Sequence, residues 1–303
     1  MTLARLVKRN ILIYARNRAN VFFSLLSMLI IIGLMAIFLG DMNTDNVVNL
    51  LQEYGGVRDT AQDRANAEQL VLLWTLAGII VVNSVTITMS MVGFMVEDED
   101  QHRLSGFYVS PVNRAVFVMG YILAAIIMGF IICLLTLAIG DLYVWLTGGS
   151  LMTMAELGRI LLLILLNVFM SASMVFFIAN FVHSTSAFSG LSTIIGTLVG
   201  FLSAIYLPMG MLPSNIQNAL KCLPLLHGSS LMRDALTKEA LLTTFNNCPK
   251  ELADGYREYM GITISWGSHT VSSQYKVIFL LISGIIFIIV SALIQRKRNT
   301  VVR

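Results

Sequence analysis

"VEDEDQHRLSGFYVSPVNR", Val96 to Arg114, stands between two long apolar runs and sets the frame for the rest of the chain. It opens with four consecutive acids, Glu97, Asp98, Glu99 and Asp100, and holds one histidine and two arginines in its nineteen residues. Each flanking run is long enough to cross a bilayer, so the segment reads as a loop thrown out of a membrane between two spans.

Composition supports that reading. The 303 residues are 56% hydrophobic and 12% charged, against about 25% charged in a soluble domain. With a mean hydropathy of +0.79, the chain falls among integral membrane proteins. The net charge is only +3, and the basic residues gather at the two ends. On a membrane protein such ends set orientation, and no nucleic-acid partner is expected.

A bilayer core needs about 20 apolar residues per helix. Six runs qualify, roughly Val21–Gly40, Leu70–Val96, Ala115–Thr147, Ile160–Val182, Ala187–Leu207 and Val277–Gln295. The third outlasts a span, and its Gly140-Asp141 pair marks where the helix would leave the bilayer. The expected fold is an all-α integral membrane protein, a single transmembrane domain over 1–303 with six transmembrane helices. Ahead of the first span, Leu3, Leu6, Val7, Ile11 and Tyr14 recur at helical spacing, with Lys8, Arg9 and Arg16 largely off that stripe. Residues 1–20 are therefore predicted to form an amphipathic helix lying at the membrane interface.

Arg5, Lys8, Arg9, Arg16 and Arg18 precede the first span, and Arg296, Lys297, Arg298 and Arg303 follow the last. The positive-inside rule then puts both ends in the cytoplasm of a cell membrane and 97–114 in a cytoplasmic loop. The long segment 208–276 lies outside. It is only semi-polar, broken by Pro208, Pro213 and Pro224 and jointed at Gly210 and Gly228. Short helices dipping back into the outer membrane face are expected there, which requires that their backbone be buried in protein or line a cavity. Cys222 and Cys248 both fall in this segment, with 25 residues between them. A disulfide is one reading, and two separate thiols is the other. Cys133 lies inside span three and is expected to stay reduced.

Enzyme motifs are missing. There is no GxxxxGK[ST], HExxH, GxSxG or CxxC, so no catalytic residue, metal site or cofactor is expected on this chain. The spans carry Asn83, Ser84, Asn167, Ser171, Ser173, Asn180 and Thr197 but no central Asp, Glu, Lys or Arg. Amides and hydroxyls of this kind read first as helix–helix hydrogen bonds. The lack of intramembrane charge argues against a stand-alone secondary carrier or channel.

The opening stretch resembles the permeases of the type-two ABC exporter family. Acids, a short amphipathic helix, a Ser-Pro, a polar-basic pair and an early glycine in the next span match at Ser110, Pro111, Asn113, Arg114 and Gly120. A second match runs from Pro208 and Gly210 through Met211–Pro213 and Cys222–Pro224 to Arg233. The family often has Gly-Thr after the acids, where this chain has His102 and Arg103. The resemblance implies an ATP-driven exporter with two permeases, as a homodimer or heterodimer, and two separate ATP-binding subunits that bind ATP and Mg. Residues 97–114 become the coupling loop, with Glu97, Asp98, Glu99, Asp100, Leu104, Phe107, Tyr108, Pro111 and Arg114 facing the ATPase. The acids could pair instead with the N-terminal helix. Pro208, Gly210, Pro213, Pro224 and Arg233 become a re-entrant external gate. Substrate would pass along spans two and five, where Asn83, Phe94, Thr197, Phe201 and Tyr206 are pathway candidates. The implied cargo is a hydrophobic or amphipathic compound such as a drug, peptide antibiotic or lipid, with a surface polysaccharide or lipid-linked glycan as the alternative.

Overall fold

In a computed structural model of the chain, the residues described run from Thr2 to Val301, except 20, 23–25, 27–28, 30–32, 34–39, 55–58, 104–113, 150–151 and 268. The elements are α1 (Thr2–Arg16), α2 (Gly40–Tyr54), α3 (Thr60–Asp100), α4 (Arg114–Leu146), α5 (Met154–Ala179) and α6 (Thr185–Leu202). After a single 3₁₀ turn come α7 (Ser214–Lys221), α8 (Pro224–Leu236), α9 (Lys238–Thr244) and α10 (Lys250–Tyr259). A two-residue hairpin of β1 (Ser265–Trp266) and β2 (His269–Thr270) leads into α11 (Ser273–Val301). Among the described residues five helices are long and apolar enough to cross a membrane: α3, Val116–Leu146 of α4, α5, α6 and Ser273–Ile294 of α11. The expected first span, Val21–Gly40, falls mostly outside the described residues.

Helix α3 is the centre of the bundle. At 1.5 Å per residue its 41 residues extend about 60 Å, twice the depth of a hydrocarbon core. The start at Thr60, ten residues before the expected span, follows from Asp59, whose side chain accepts from the backbone N–H groups of Ala61 and Gln62. Within this added stretch Ala67 and Leu70 join Val47 and Leu51 of α2 in a second apolar cluster. Helices α4, α5, α6, α2, α8 and α9 all pack on α3. Buried polar groups tie the spans together: Asn83 donates to Thr136 at 2.9 Å and the Ser84 and Ser171 hydroxyls lie 2.9 Å apart. Helix α5 starts at Met154 because Thr153 and Glu156 form a reciprocal capping box.

Helix α6 corrects the sequence expectation at its far end. The run was expected to reach Leu207, but the helix stops at Leu202. Ala204 takes a left-handed φ of 52°, and the Ser203 and Ala204 carbonyls turn to Arg233. The segment that follows is a compact helical cap rather than a loop. Its prolines start helices: Pro213 and Pro249 are the residues just before α7 and α10, and Pro224 is the first residue of α8. Helix α8 packs against α3, α5 and α11, with every residue from Pro224 to Arg233 buried.

The possible disulfide is absent: Cys222 and Cys248 are both free thiols. Cys222 closes α7, exposed, with its thiol on the Asn218 carbonyl. Cys248 is half-buried against the α2–α3–α10 cluster. Cys248 packs on that cluster, while Cys222 is exposed and takes no part in it.

Gly228 is where α8 comes closest to α5. A Cβ there would run into the Asn167 side-chain oxygen, with Leu280 of α11 behind at 3.4 Å. Gly228→Ala is expected to overpack this crossing by about 1–3 kcal/mol. A lowered thermal unfolding midpoint of the detergent-solubilised chain would register it; an unchanged midpoint would contradict the close approach.

Candidate functional site

Three features stand at functional positions: a polar junction where α1, α3, α4 and α6 meet, a cleft between α3 and α6, and the cap at the opposite end.

The junction is built on Asp98, a carboxylate only 3% exposed. One of its oxygens accepts from the Arg9 guanidinium at 2.8 Å and from the Tyr121 hydroxyl at 2.6 Å. Arg9 also donates to Tyr121 at 3.2 Å and to the Asn10 side chain at 3.0 Å. The other oxygen lies 3.4 Å from Arg103, which also reaches Glu97 at 3.4 Å. Gly120, matched to the family pattern, lets Leu6 of α1 approach α4: a Cβ there would stand 3.0 Å from that of Leu6. Asp100 serves α6, accepting from the Thr185 backbone N–H at 3.0 Å and hydroxyl at 2.6 Å. With Ser184 taking the Ala187 N–H, two side chains satisfy the first turn of α6, where a carboxylate also meets the positive end of the helix dipole.

Four helices are thus fastened at the end of α3, beside Gln101–Arg103. Of the acids expected to face a partner, Asp98 pairs with the N-terminal helix, as the alternative allowed, and Asp100 is committed to α6, which neither reading foresaw. Glu97 lines the cleft. Leu104, Phe107, Tyr108 and Pro111 lie outside the described residues, as does the side chain of Arg114.

The cleft has a volume of about 360 Å³. Hydroxyls of Thr86, Ser90, Ser189 and Ser192 line it beside Met89, Phe94, Phe188 and Ile195, and Glu97 and Thr185 stand at the junction end. Gly93 gives Phe188 its seat, a Cβ there standing 3.0 Å from the ring. Of the pathway candidates, Phe94 lines the cleft. Asn83 does not; its amide is spent on α4. Thr197 and Phe201 are exposed on the outer face of α6, and Tyr206 packs edge-on against Phe201 at 5.0 Å. Ser189, Gly190, Thr193 and Ile194 continue that exposed face. Phe188, Ser189 and Ser192 were not among the pathway candidates, though their spacing along one helical face could have revealed them.

At the opposite end, Arg233 is fully buried. It donates to the Ala204 carbonyl at 2.7 Å and the Ser203 carbonyl at 3.1 Å, and its guanidinium lies 4.4 Å over the Trp74 ring. Trp74 in turn donates to the Met260 carbonyl at 2.8 Å. Arg233 therefore joins α8, the end of α6, α3 and the turn after α10. Gly210 packs beside Tyr259 of α10, while Pro208, Pro213 and Pro224 set the helix starts around it. Lys276 donates to Ser230 at 2.8 Å, and His227 donates through Nε2 to the Lys221 carbonyl at 2.8 Å. Burial holds the His227 imidazole below its ordinary pKa, and the nearby Lys276 adds to this. Among the described residues no group of His, Cys, Asp and Glu could hold a metal ion.

Two measurements test this geometry. Asp98→Asn keeps the shape but removes the charge that meets Arg9, and should cost about 1.5–3 kcal/mol, as for a hydrogen bond to a charged group. Faster proteolysis after Arg16 would report the release of α1; wild-type cleavage rates would reject the junction. The second concerns pH. Below about pH 6.5 an unfolded histidine takes up a proton that folded His227 resists, so stability is lost as pH falls through that value. The drop in thermal midpoint between pH 7.5 and 5 should be larger in the wild type than in His227→Gln.

Comparison with known families finds a match to the ABC-2 family transporter protein over residues 55–294. Comparison with curated proteins finds none that matches. The match takes in all five apolar helices, the Glu97–Asp100 acids, the cleft and the cap, so the chain belongs to the ABC-2 transporter family, as a multipass membrane subunit of an ABC transporter that pairs with a separate ATP-binding subunit.

Proposed function

We propose that the chain is the permease of an ATP-driven exporter, moving a hydrophobic or amphipathic compound outward between two permease copies. The observation that carries this reading is the α3–α6 cleft, whose lining alternates hydroxyls with Met, Phe and Ile and whose one acid, Glu97, stands beside the junction. Such a lining suits a cargo with an apolar body and a few polar groups. Among the described residues two aromatic rings, Phe94 and Phe188, line it, which favours this cargo over a glycan chain that needs a run of stacking rings. Helix α6 is exposed along most of its length, and a second permease covering it would enclose the cleft between protomers. Both termini and 97–114 then face the cytoplasm, and α7 and α8 serve as re-entrant helices near the outer face.

ATP and Mg are bound by the two partner subunits, which dock on residues 101–113. The junction supports that role: a push on the end of α3 reaches α1, α4 and α6 through Asp98, Tyr121 and Asp100.

Two experiments test the reading. Phe107→Ala with Tyr108→Ala should weaken co-purification of the ATP-binding subunit tenfold or more, roughly the loss for an aromatic anchor, while the permease itself stays monodisperse. Undiminished co-purification with full transport would refute the docking role. Thr193→Cys, in a chain whose Cys133, Cys222 and Cys248 are replaced by Ser, should cross-link two copies on mild oxidation. A chain that stays monomeric and uncross-linked in vesicles would refute the paired cleft.

A further inference from the structure

Helix α1 does not lie flush on α4. Leu3, Ala4, Val7, Ile11 and Leu12 of α1 and Leu123 of α4 enclose an open groove of about 460 Å³. That is within the range of small-molecule sites, about 300–1,000 Å³. Its lining is almost wholly apolar, and the one charged residue on it is Lys8. Arg5 lies one turn from Lys8 and is exposed; among the described residues neither forms an ion pair. The groove's depth is fixed by Leu123, the eighth residue of the apolar span that begins at Val116, about 10 Å along the helix. One wall therefore stands at hydrocarbon depth while the basic rim belongs to the interfacial helix.

We propose that this groove binds one anionic phospholipid, an acyl chain lying between α1 and α4 and the phosphate held by Lys8 and Arg5. Charge complementarity selects the occupant. A neutral apolar ligand would leave two unpaired cations beside it unused, and a soluble anion would leave the apolar trough open to water. A lipid satisfies both, from the leaflet that α1 faces. The site shares α1 with the Arg9–Asp98 junction, so its occupancy bears on how firmly α1 is held against α3. It rests on the chain's being a membrane subunit and not on its cargo or direction of transport.

The test is native mass spectrometry of the full chain released from detergent with added phosphatidylglycerol or with phosphatidylcholine of the same acyl chains. Phosphatidylglycerol should be retained at roughly 30-fold lower concentration, the preference two cations near a membrane surface supply. Arg5→Glu with Lys8→Glu should abolish the preference while leaving the thermal midpoint unchanged. Leu123→Trp, or Ala4→Phe from the other wall, should fill the groove and reduce retention of both lipids. Equal retention of the two lipids would overturn the proposal, as would wild-type binding in the groove-filled variants. Displacement by millimolar inorganic phosphate would reduce the site to a headgroup contact and overturn it too. Ejection of the lipid by the ATP-binding subunit would make the groove that subunit's seat instead.

Discussion

Everything in this fold leans on one helix that is covered on almost every side. Of the most apolar window of α3, 89% is buried inside the chain, against 17% for α6 and α11. A helix apolar all round belongs at the centre of a bundle, and α3 takes that place because its Gly78 and Gly93 admit Ile205 and Phe188 closely. A central rod of this length can carry displacement between the ends of the molecule as a rigid body. Trp74 and Asp98 mark its two working points, 24 residues and about 36 Å apart.

At each point an arginine from another helix is received, and the two are received differently. Arg9 meets a carboxylate and a phenol and remains 31% exposed. Arg233 meets only carbonyls and an indole face and is wholly buried. The first arrangement can be loosened by water and by competing charges. In the second, the carbonyls at the end of α6 carry the negative pole of that helix, and they offset a charge that would otherwise be costly to bury. The cap is therefore built as a fixed part, and the junction as an adjustable one.

Much of this was legible in the residues. The apolar runs, the amphipathic stripe of α1, the acids and the proline-marked segment all follow from period and composition, because burial in lipid or protein leaves a linear trace. What escaped depends on distant partners. Nothing around Leu202 announces that α6 stops there; the stop is tied to Arg233, thirty residues on. Asn83 looked like a pathway group because an amide has no direction in a sequence, and it is turned to Thr136. Cys222 and Cys248 looked pairable because loop length was visible, and the exposure of one and the packing of the other against an apolar cluster were not. Short helices were expected in the cap, but their bounds were not legible, because they are polar on one side and stabilised by packing rather than by their own propensity.

The junction also bears on how the protein is made. Arg9 is synthesised early, while its partners Asp98 and Tyr121 follow 89 and 112 residues later. At about 5–20 residues per second, α1 waits for Tyr121 for roughly 6–22 s after leaving the ribosome. A sequence that was merely a good partner for α4 would spend that time exposed to water. An amphipathic, basic helix suits a membrane surface during such a delay, and the apolar stripe that would rest there is the face that packs on α4 in the finished chain.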